Sequence, residues 1–352
     1  MNFIITILIL FIMLGSIISI HEFGHFIAAK KSGVYVDEFS LGMGPLIFKH
    51  KPKNSETTYS LRLLPIGGYV SMAEKYDKSL KIKKDRVLEN KGFLHVLWVL
   101  INGIVFNFIL AIFLFFLSGL IYGRPISTTK VVSVVEGGSA YNAGLEAGDT
   151  ILEVNGVKTE TWDDFILEAS AKKLQNNYVF KVLKPSGEIV EYNLVPEIKN
   201  ENGEEQRIYG IVGNGVEYQK GFKEAVKYAF IGTFDNTKTI VKILFSLFKG
   251  DVSIKSLSGP VGIYSIVDTV KSTGFETLIY LTAYLSINVG VVNLLPIPVF
   301  DGGRIFILLI EKITNRKSSE KLELALNYIG FGLMILLMLF VTFNDITRLV
   351  VN

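Results

Sequence analysis

The 352-residue chain contains no cysteine. Disulfides, thiolate metal sites and a cysteine nucleophile are thereby excluded, so any metal must be held by histidine and carboxylate. Histidine is scarce too, with four residues: His21, His25, His50 and His95. Charge is thin: 20% of the residues are Asp, Glu, Lys or Arg, against about 25% in an average soluble protein. A net charge of +3 gives no footprint for a polyanion, so no nucleic-acid partner is expected. Intrinsic disorder is excluded by a hydrophobic share of 49%. What the chain has in excess is apolar sequence, gathered into long uncharged blocks.

Residues 3–20 are apolar and uncharged and lead into 21–29, which predicts a first transmembrane helix over 1–29. No basic stretch precedes this block and no small-residue cleavage site follows it, so it reads as a retained span rather than a signal peptide. Residues 96–122 predict a second span, flanked by Trp98 and Tyr122 as interfacial anchors. A third covers 277–310, made irregular by Asn288, Asn293, Pro296 and Pro298. The fourth covers 328–350, with Asp345 and Arg348 marking its exit. The 30–95 connection carries 13 Lys+Arg against 7 Asp+Glu, whereas 123–227 carries 12 against 16. The positive-inside rule then puts the first connection in the cytoplasm and the long acidic segment outside.

Two stretches of the 30–95 connection, 34–48 and 57–72, alternate like strands with glycine-rich turns and predict a β-hairpin, either dipping towards the bilayer or solvated. The basic run at 75–91 reads as a solvated loop. Residues 126–217 read as a small α+β domain. Its signals are a strand at 130–135, an Asn155-Gly156 hairpin turn and a helix at about 161–174 opened by a Thr161/Asp164 capping box. Strands at 177–183 and 189–195 follow. Within 218–270, a helix at 222–248 carries Phe222, Ala225, Val226, Ala229 and Phe230 on one stripe, as an interfacial amphipathic helix does.

His21-Glu22-Phe23-Gly24-His25 is HExxH on a predicted helix. A spacing of four puts both imidazoles on one face, where two ring nitrogens can converge on one metal. Glu22 stands beside that metal without binding it and can accept a proton from water. Titratable groups inside a span are costly and mark function. Zinc needs a third protein ligand, and Asp301, the lone acid between Glu276 and Glu311, is the candidate; His50 and His95 lie in or beside the polar connection and read as solvated. Pro296 and Pro298 stop regular helix, which a membrane tolerates where backbone lines a polar cavity. Asn288 and Asn293 can hydrogen-bond an extended peptide or tie helices together.

HEFGH in the first helix, NLLPIPVFDGG at 293–303, the PIGGYV stretch at 65–70 and LSGPVGI at 257–263 together resemble the bacterial site-2 proteases. More narrowly, they resemble the RseP-type regulators of extracytoplasmic sigma factors. The resemblance implies a zinc intramembrane metalloprotease with His21, His25 and Asp301 as Zn2+ ligands and Glu22 as the base. Asn288, Asn293, Pro296 and Pro298 are then substrate-binding candidates. It also implies that 137–149 (GGSAYNAGLEAGD) belongs to the peptide groove of a single PDZ-like unit. Expected substrates are single-pass transmembrane proteins such as anti-sigma factors or signal-peptide remnants. The expected place is the cell membrane, with the active site near the cytoplasmic side and the PDZ-like domain outside.

The expected fold is thus a polytopic α-helical membrane protein of four transmembrane helices, with a membrane-associated β-hairpin region and one α+β PDZ-like domain. Two other functions compete with proteolysis. A non-catalytic scaffold presenting a PDZ module predicts that Glu22→Gln leaves function intact. A metal transporter lacks a second polar span to pass an ion onward.

Overall fold

The computed structural model describes residues 2–76, 82–170, 177–201, 204–213, 215–250 and 257–351. In chain order these form α1 (Asn2–Lys31), β1 (Val36–His50), β2 (Thr58–Met72) and α2 (Phe93–Ile121). Then come β3 (Arg124–Ser127), β4 (Ser133–Val134), α3 (Ser139–Ala143), β5 (Thr150–Val154), β6 (Val157–Lys158) and α4 (Trp162–Ser170). Next are β7 (Tyr178–Leu183), β8 (Ile189–Leu194), β9 (Glu197–Glu201), β10 (Glu204–Ile208), β11 (Ile211–Val212) and β12 (Val216–Gln219). The chain closes with α5 (Phe222–Lys249), α6 (Pro260–Val270), α7 (Phe275–Asn293), α8 (Asp301–Thr314) and α9 (Glu320–Val351). There are two compact units: Met1–Tyr122 with Phe222–Asn352, and Gly123–Gly221.

Among the described residues, four helices of the first unit are long and apolar enough to cross a membrane: Phe3–Lys31, Phe93–Ile121, Phe275–Asn293 and Lys321–Arg348. In α1 and α2 the apolar side chains surround the axis, as lipid on one side and protein on the other require. One buried cluster, with Phe26, Ala29, Val36, Phe39, Leu88 and Val99, joins the C-terminal end of α1 to the hairpin and α2. Another, with Ala111, Phe115, Tyr228, Ile240, Ala283 and Ile287, joins α2, α5 and α7.

The antiparallel β1–β2 hairpin is irregular in register and lies along α1. A Cβ on Gly15 would fall 2.1 Å from the Pro65 carbonyl oxygen, and Ser19 Oγ donates to the Gly67 carbonyl at 3.2 Å. The PIGG stretch of β2 therefore presses on α1 over the two turns before His21.

Three details differ from the sequence reading. The segment 277–310 is not one span: α7 ends at Asn293, residues 294–300 are irregular around Pro296 and Pro298, and helix restarts at Asp301. Two prolines in three residues remove the donors that would continue α7. Asp345 does not mark an exit to water. It is 3% exposed, and its Oδ2 accepts the backbone N–H groups of Gly259 (2.9 Å) and Gly262 (2.8 Å). It thus satisfies donors at the start of α6, which begins inside the LSGPVGI stretch. On α5 the buried face is Ala225, Tyr228, Ala229, Gly232 and Thr233, while Phe222 and Phe230 face outward. Small residues are inside because α2 comes close: a Cβ on Gly119 would lie 2.8 Å from the Ala225 Cα. Of the 218–270 segment, 251–256 lie outside the described residues.

The second unit centres on a four-stranded antiparallel sheet in the order β6-β5-β7-β8. Its core is Leu145, Ile151, Val154, Phe165, Tyr178, Phe180, Val182 and Leu194. Asn155 (φ 51°) and Gly156 (φ 79°) turn β5 into β6 with the left-handed pair that a tight hairpin needs. The capping box is reciprocal: Asp164 N–H donates to Thr161 Oγ1 (3.1 Å) and Thr161 N–H to Asp164 Oδ2 (2.9 Å). Only Ser133–Val134 of the expected 130–135 strand is regular, and positions 171–174 of the expected helix lie outside the described residues.

Candidate metal centre

His21 and His25 stand one turn apart on α1, each 8% exposed, and Asp301 is the first residue of α8. Their ligand atoms form a near-equilateral triangle. The two Nε2 atoms are 3.1 Å apart, and Asp301 Oδ2 lies 3.1 Å from His21 Nε2 and 3.2 Å from His25 Nε2. Tetrahedral zinc with bonds of about 2.0–2.1 Å needs ligand atoms about 3.3 Å apart, so this triangle fits one ion. Two imidazoles plus one carboxylate is also a zinc-type donor set that leaves a fourth position open.

The rings are held from α2. His25 Nδ1 lies 2.8 Å from the Val99 carbonyl oxygen, which can only accept. Nδ1 therefore carries the proton, and the Nε2 lone pair is free for a metal. His21 Nδ1 lies 3.2 Å from the Asn107 side-chain amide. Between them, Gly103 leaves room for both rings: a Cβ there would sit 2.4 Å from His25 Nε2 and 2.8 Å from His21 Cε1.

Glu22 is half-buried and faces the backbone N–H of Val70 in β2, so the motif's carboxylate and the hairpin meet at the centre. Asp301 owes its place to tight backbone packing. Cβ atoms on Gly302 and Gly303 would lie 2.4 Å from the carbonyl oxygens of Leu294 and Ile297 respectively. Val299 adopts φ +90°, a conformation costing a β-branched residue about 1–3 kcal/mol. Strain is thus stored two residues before a candidate ligand. Arg304, one turn after Asp301, pairs with Glu74 at 3.0 and 3.1 Å and ties α8 to the segment after β2. A cavity of about 980 Å³ opens beside this pair, lined by Leu100, Val299, Arg304, Glu311 and Tyr328 among others.

Among the described residues, His21, His25 and Asp301 are the group placed to share a metal, with Glu22 adjoining. The other expected site residues are not gathered at the triangle. Asn288 Nδ2 donates to the Tyr284 carbonyl of its own helix at 3.1 Å. Asn293 closes α7, and Pro296 and Pro298 lie in the irregular stretch that follows. The sequence reading passed over Val99, Gly103 and Asn107. The available signal, for Asn107 alone, is an amide within an uncharged span, which Asn102 shares.

A family model for peptidase family M50 matches residues 9–337. The chain belongs to that family. The regulator of sigma-W protease RasP from Bacillus subtilis is 32% identical, with 99% of each chain covered. The zinc metalloprotease RasP from Oceanobacillus iheyensis is 30% identical, covering 98% of this chain and 99% of its own. One solved structure, the PDZ domain of the SdrC-like protein from Listeria innocua, is 24% identical, covers 26% of this chain and 99% of that one, and gives a TM-score of 0.21. As an M50 peptidase the chain is a zinc-dependent intramembrane metalloendopeptidase, and its four apolar helices make it a multi-pass membrane protein.

Proposed function

We propose that His21, His25 and Asp301 hold the zinc of this peptidase and that Glu22 is its general base. The observation carrying this reading is the meeting of two Nε2 atoms and one carboxylate oxygen within 3.2 Å of one another, from residues 280 positions apart. When bound, zinc supplies Lewis acidity, worth several kcal/mol of charge stabilisation. Glu22 takes the proton of the attacking water and returns it to the leaving amine. The Val99 carbonyl keeps His25 in the ligating tautomer. Asn288, Asn293, Pro296 and Pro298 line the path of the substrate backbone.

A transmembrane helix hides its carbonyls in hydrogen bonds, so the substrate must unwind to be cut, and the edge of β2 accepts it as an added strand. Support for a hairpin within the bilayer comes from its contact with α1. Gly15 is six residues, or about 9 Å, outward of His21 along the helix. Leu46, Ile47, Phe48 and Leu63 are also exposed apolar side chains on the hairpin. Basic residues of the 30–95 connection put the centre near the cytoplasmic side and the Gly123–Gly221 unit, read as PDZ-like, outside. Substrates are single-pass membrane proteins such as anti-sigma factors or signal-peptide remnants. The test compares wild type with Glu22→Gln on a model single-pass substrate in detergent, with and without chelator. Turnover should fall by about 10²–10⁴-fold in the variant while zinc content holds. A variant that cleaves at the wild-type rate removes Glu22 as the base.

A further inference from the structure

We infer that Asn107 is the positioning residue for His21, fixing the imidazole tautomer that presents Nε2 to the metal. The inference rests on the zinc-ligand reading above. Asn107 is 0% exposed, in the middle of the apolar α2, and its amide lies 3.2 Å from His21 Nδ1. A neutral imidazole has one N–H. Ligation through Nε2 places it on Nδ1, where it needs an acceptor. The structure sets Asn107 Nδ2 against that atom and leaves Oδ1 buried without a hydrogen-bond partner; the oxygen and nitrogen of an amide share one outline, and exchanging them turns Oδ1 to the ring as the acceptor that Nδ1–H needs.

His25 provides the internal parallel. Its Nδ1–H donates to the Val99 carbonyl, two turns before Asn107 on the same helix, with Gly103 midway. α2 thus orients both rings, one through backbone and one through a side chain. Adhesion between α2 and α7 does not explain the Asn107 amide. The bond from α7 is made to its main chain, with Ser286 Oγ donating to the Asn107 carbonyl at 2.8 Å, while the amide turns to His21.

Full-length wild type, His21→Ala, Asn107→Leu and Asn107→Asp are compared by chelator competition for zinc and by the visible spectrum of the Co2+-loaded protein. Asn107→Leu, isosteric but unable to accept, should weaken zinc binding by about 10–100-fold and shift the Co2+ bands. Asn107→Asp keeps an acceptor and should bind within about threefold of wild type. If the leucine variant does not fold, Asn107→Ser, too short to reach the ring, takes its place with the same expectation. Wild-type affinity in the leucine or serine variant, or an aspartate variant as weak as they are, overturns the inference. Loss of binding in His21→Ala beside unchanged Asn107→Leu overturns this inference alone. Unchanged binding in His21→Ala overturns the zinc-ligand reading itself.

Discussion

Fully buried side chains in the second unit are large: Tyr178, Phe180, Ile151, Leu145 and Leu194 fill one core under a twisted sheet. The first unit also buries Phe115, Ile17 and Ile287, but its closest approaches between elements involve very small groups or polar ones. Gly15 meets the Pro65 carbonyl, Gly119 meets Ala225, Ser286 bonds to Asn107, and Asp345 binds two glycine N–H groups. The contrast follows from the solvent each region meets. Water drives apolar side chains together at about 25 cal/mol per Å² buried, whereas lipid tails are as apolar as leucine and supply no such drive. Helices in a bilayer associate through close backbone approach and through polar contacts that have no water to compete with them. An HExxH motif gains from that second regime. The closeness that holds α1 to α2 also delivers a carbonyl and an amide to the outer nitrogens of the two imidazoles.

The sharpest break of this comparison is Gly103→Ala. Its new Cβ would lie inside contact distance of both imidazoles, so α1 and α2 must part or the rings must turn. Zinc affinity should fall by more than about 100-fold, measured by competition with a chelator. Gly332→Ala is the control, because a Cβ there meets nothing within 4 Å. Equal affinity in the two variants would mean that the approach of α2 does not set the metal site.

Next in size is Phe180→Ala in the second unit. Phe180 is fully buried, with the rings of Phe165 and Tyr209 at 5.8 and 5.1 Å. Removing it should cost about 3–5 kcal/mol in the stability of that unit, seen as a lowered melting transition. Zinc affinity should not change. A parallel loss of zinc would show that the two regimes are not separable in this chain.

These differences also explain what the sequence discloses. Uncharged runs announce α1 and α2 because a span has to be apolar. The Thr161/Asp164 cap and the Asn155-Gly156 turn are equally legible, being local hydrogen-bonding and φ requirements written in a few adjacent residues. Half of the candidate site is local in the same way, since His21 and His25 lie on one helix face. Asp301 is 276 positions beyond His25 and becomes a candidate through the scarcity of acids in its region and the family resemblance, not through spacing. Gly103 was invisible as a site residue because its contribution is the absence of atoms at one close crossing. Burial of Asp345 is hidden for a related reason: charge near the end of a span suggests water, and nothing local says that two glycine N–H groups from 83 and 86 positions away will meet it. The split of the 277–310 segment, in contrast, is announced by Pro296 and Pro298. Only the extent of the restart at Asp301 needs coordinates.

The smallest expected effect probes the same polar chemistry where water can reach it. At the base of the hairpin Glu56 accepts from Arg86 Nη1 (2.7 Å) and Nη2 (2.6 Å) and from Lys30 Nζ (3.2 Å). The forked bond from Arg86, aided by Lys30, holds the Glu56 carboxyl below the usual carboxylate range. A lowered folded-state pKa means that the pair stabilises at pH above the unfolded value of about 4.3 and that this contribution is lost as pH falls through the lower folded value. Glu56→Gln should therefore cost about 0.5–1 kcal/mol at pH 7, and the gap between variant and wild type should close below about pH 4. Denaturation in detergent at pH 7 and pH 3, with Arg86→Met completing a double-mutant cycle, measures it. A cost of several kcal/mol at neutral pH would mean that this cluster is as secluded from water as the centre held by α1 and α2. The contrast between lipid-facing and water-facing polar contacts would then have to be redrawn inside the first unit.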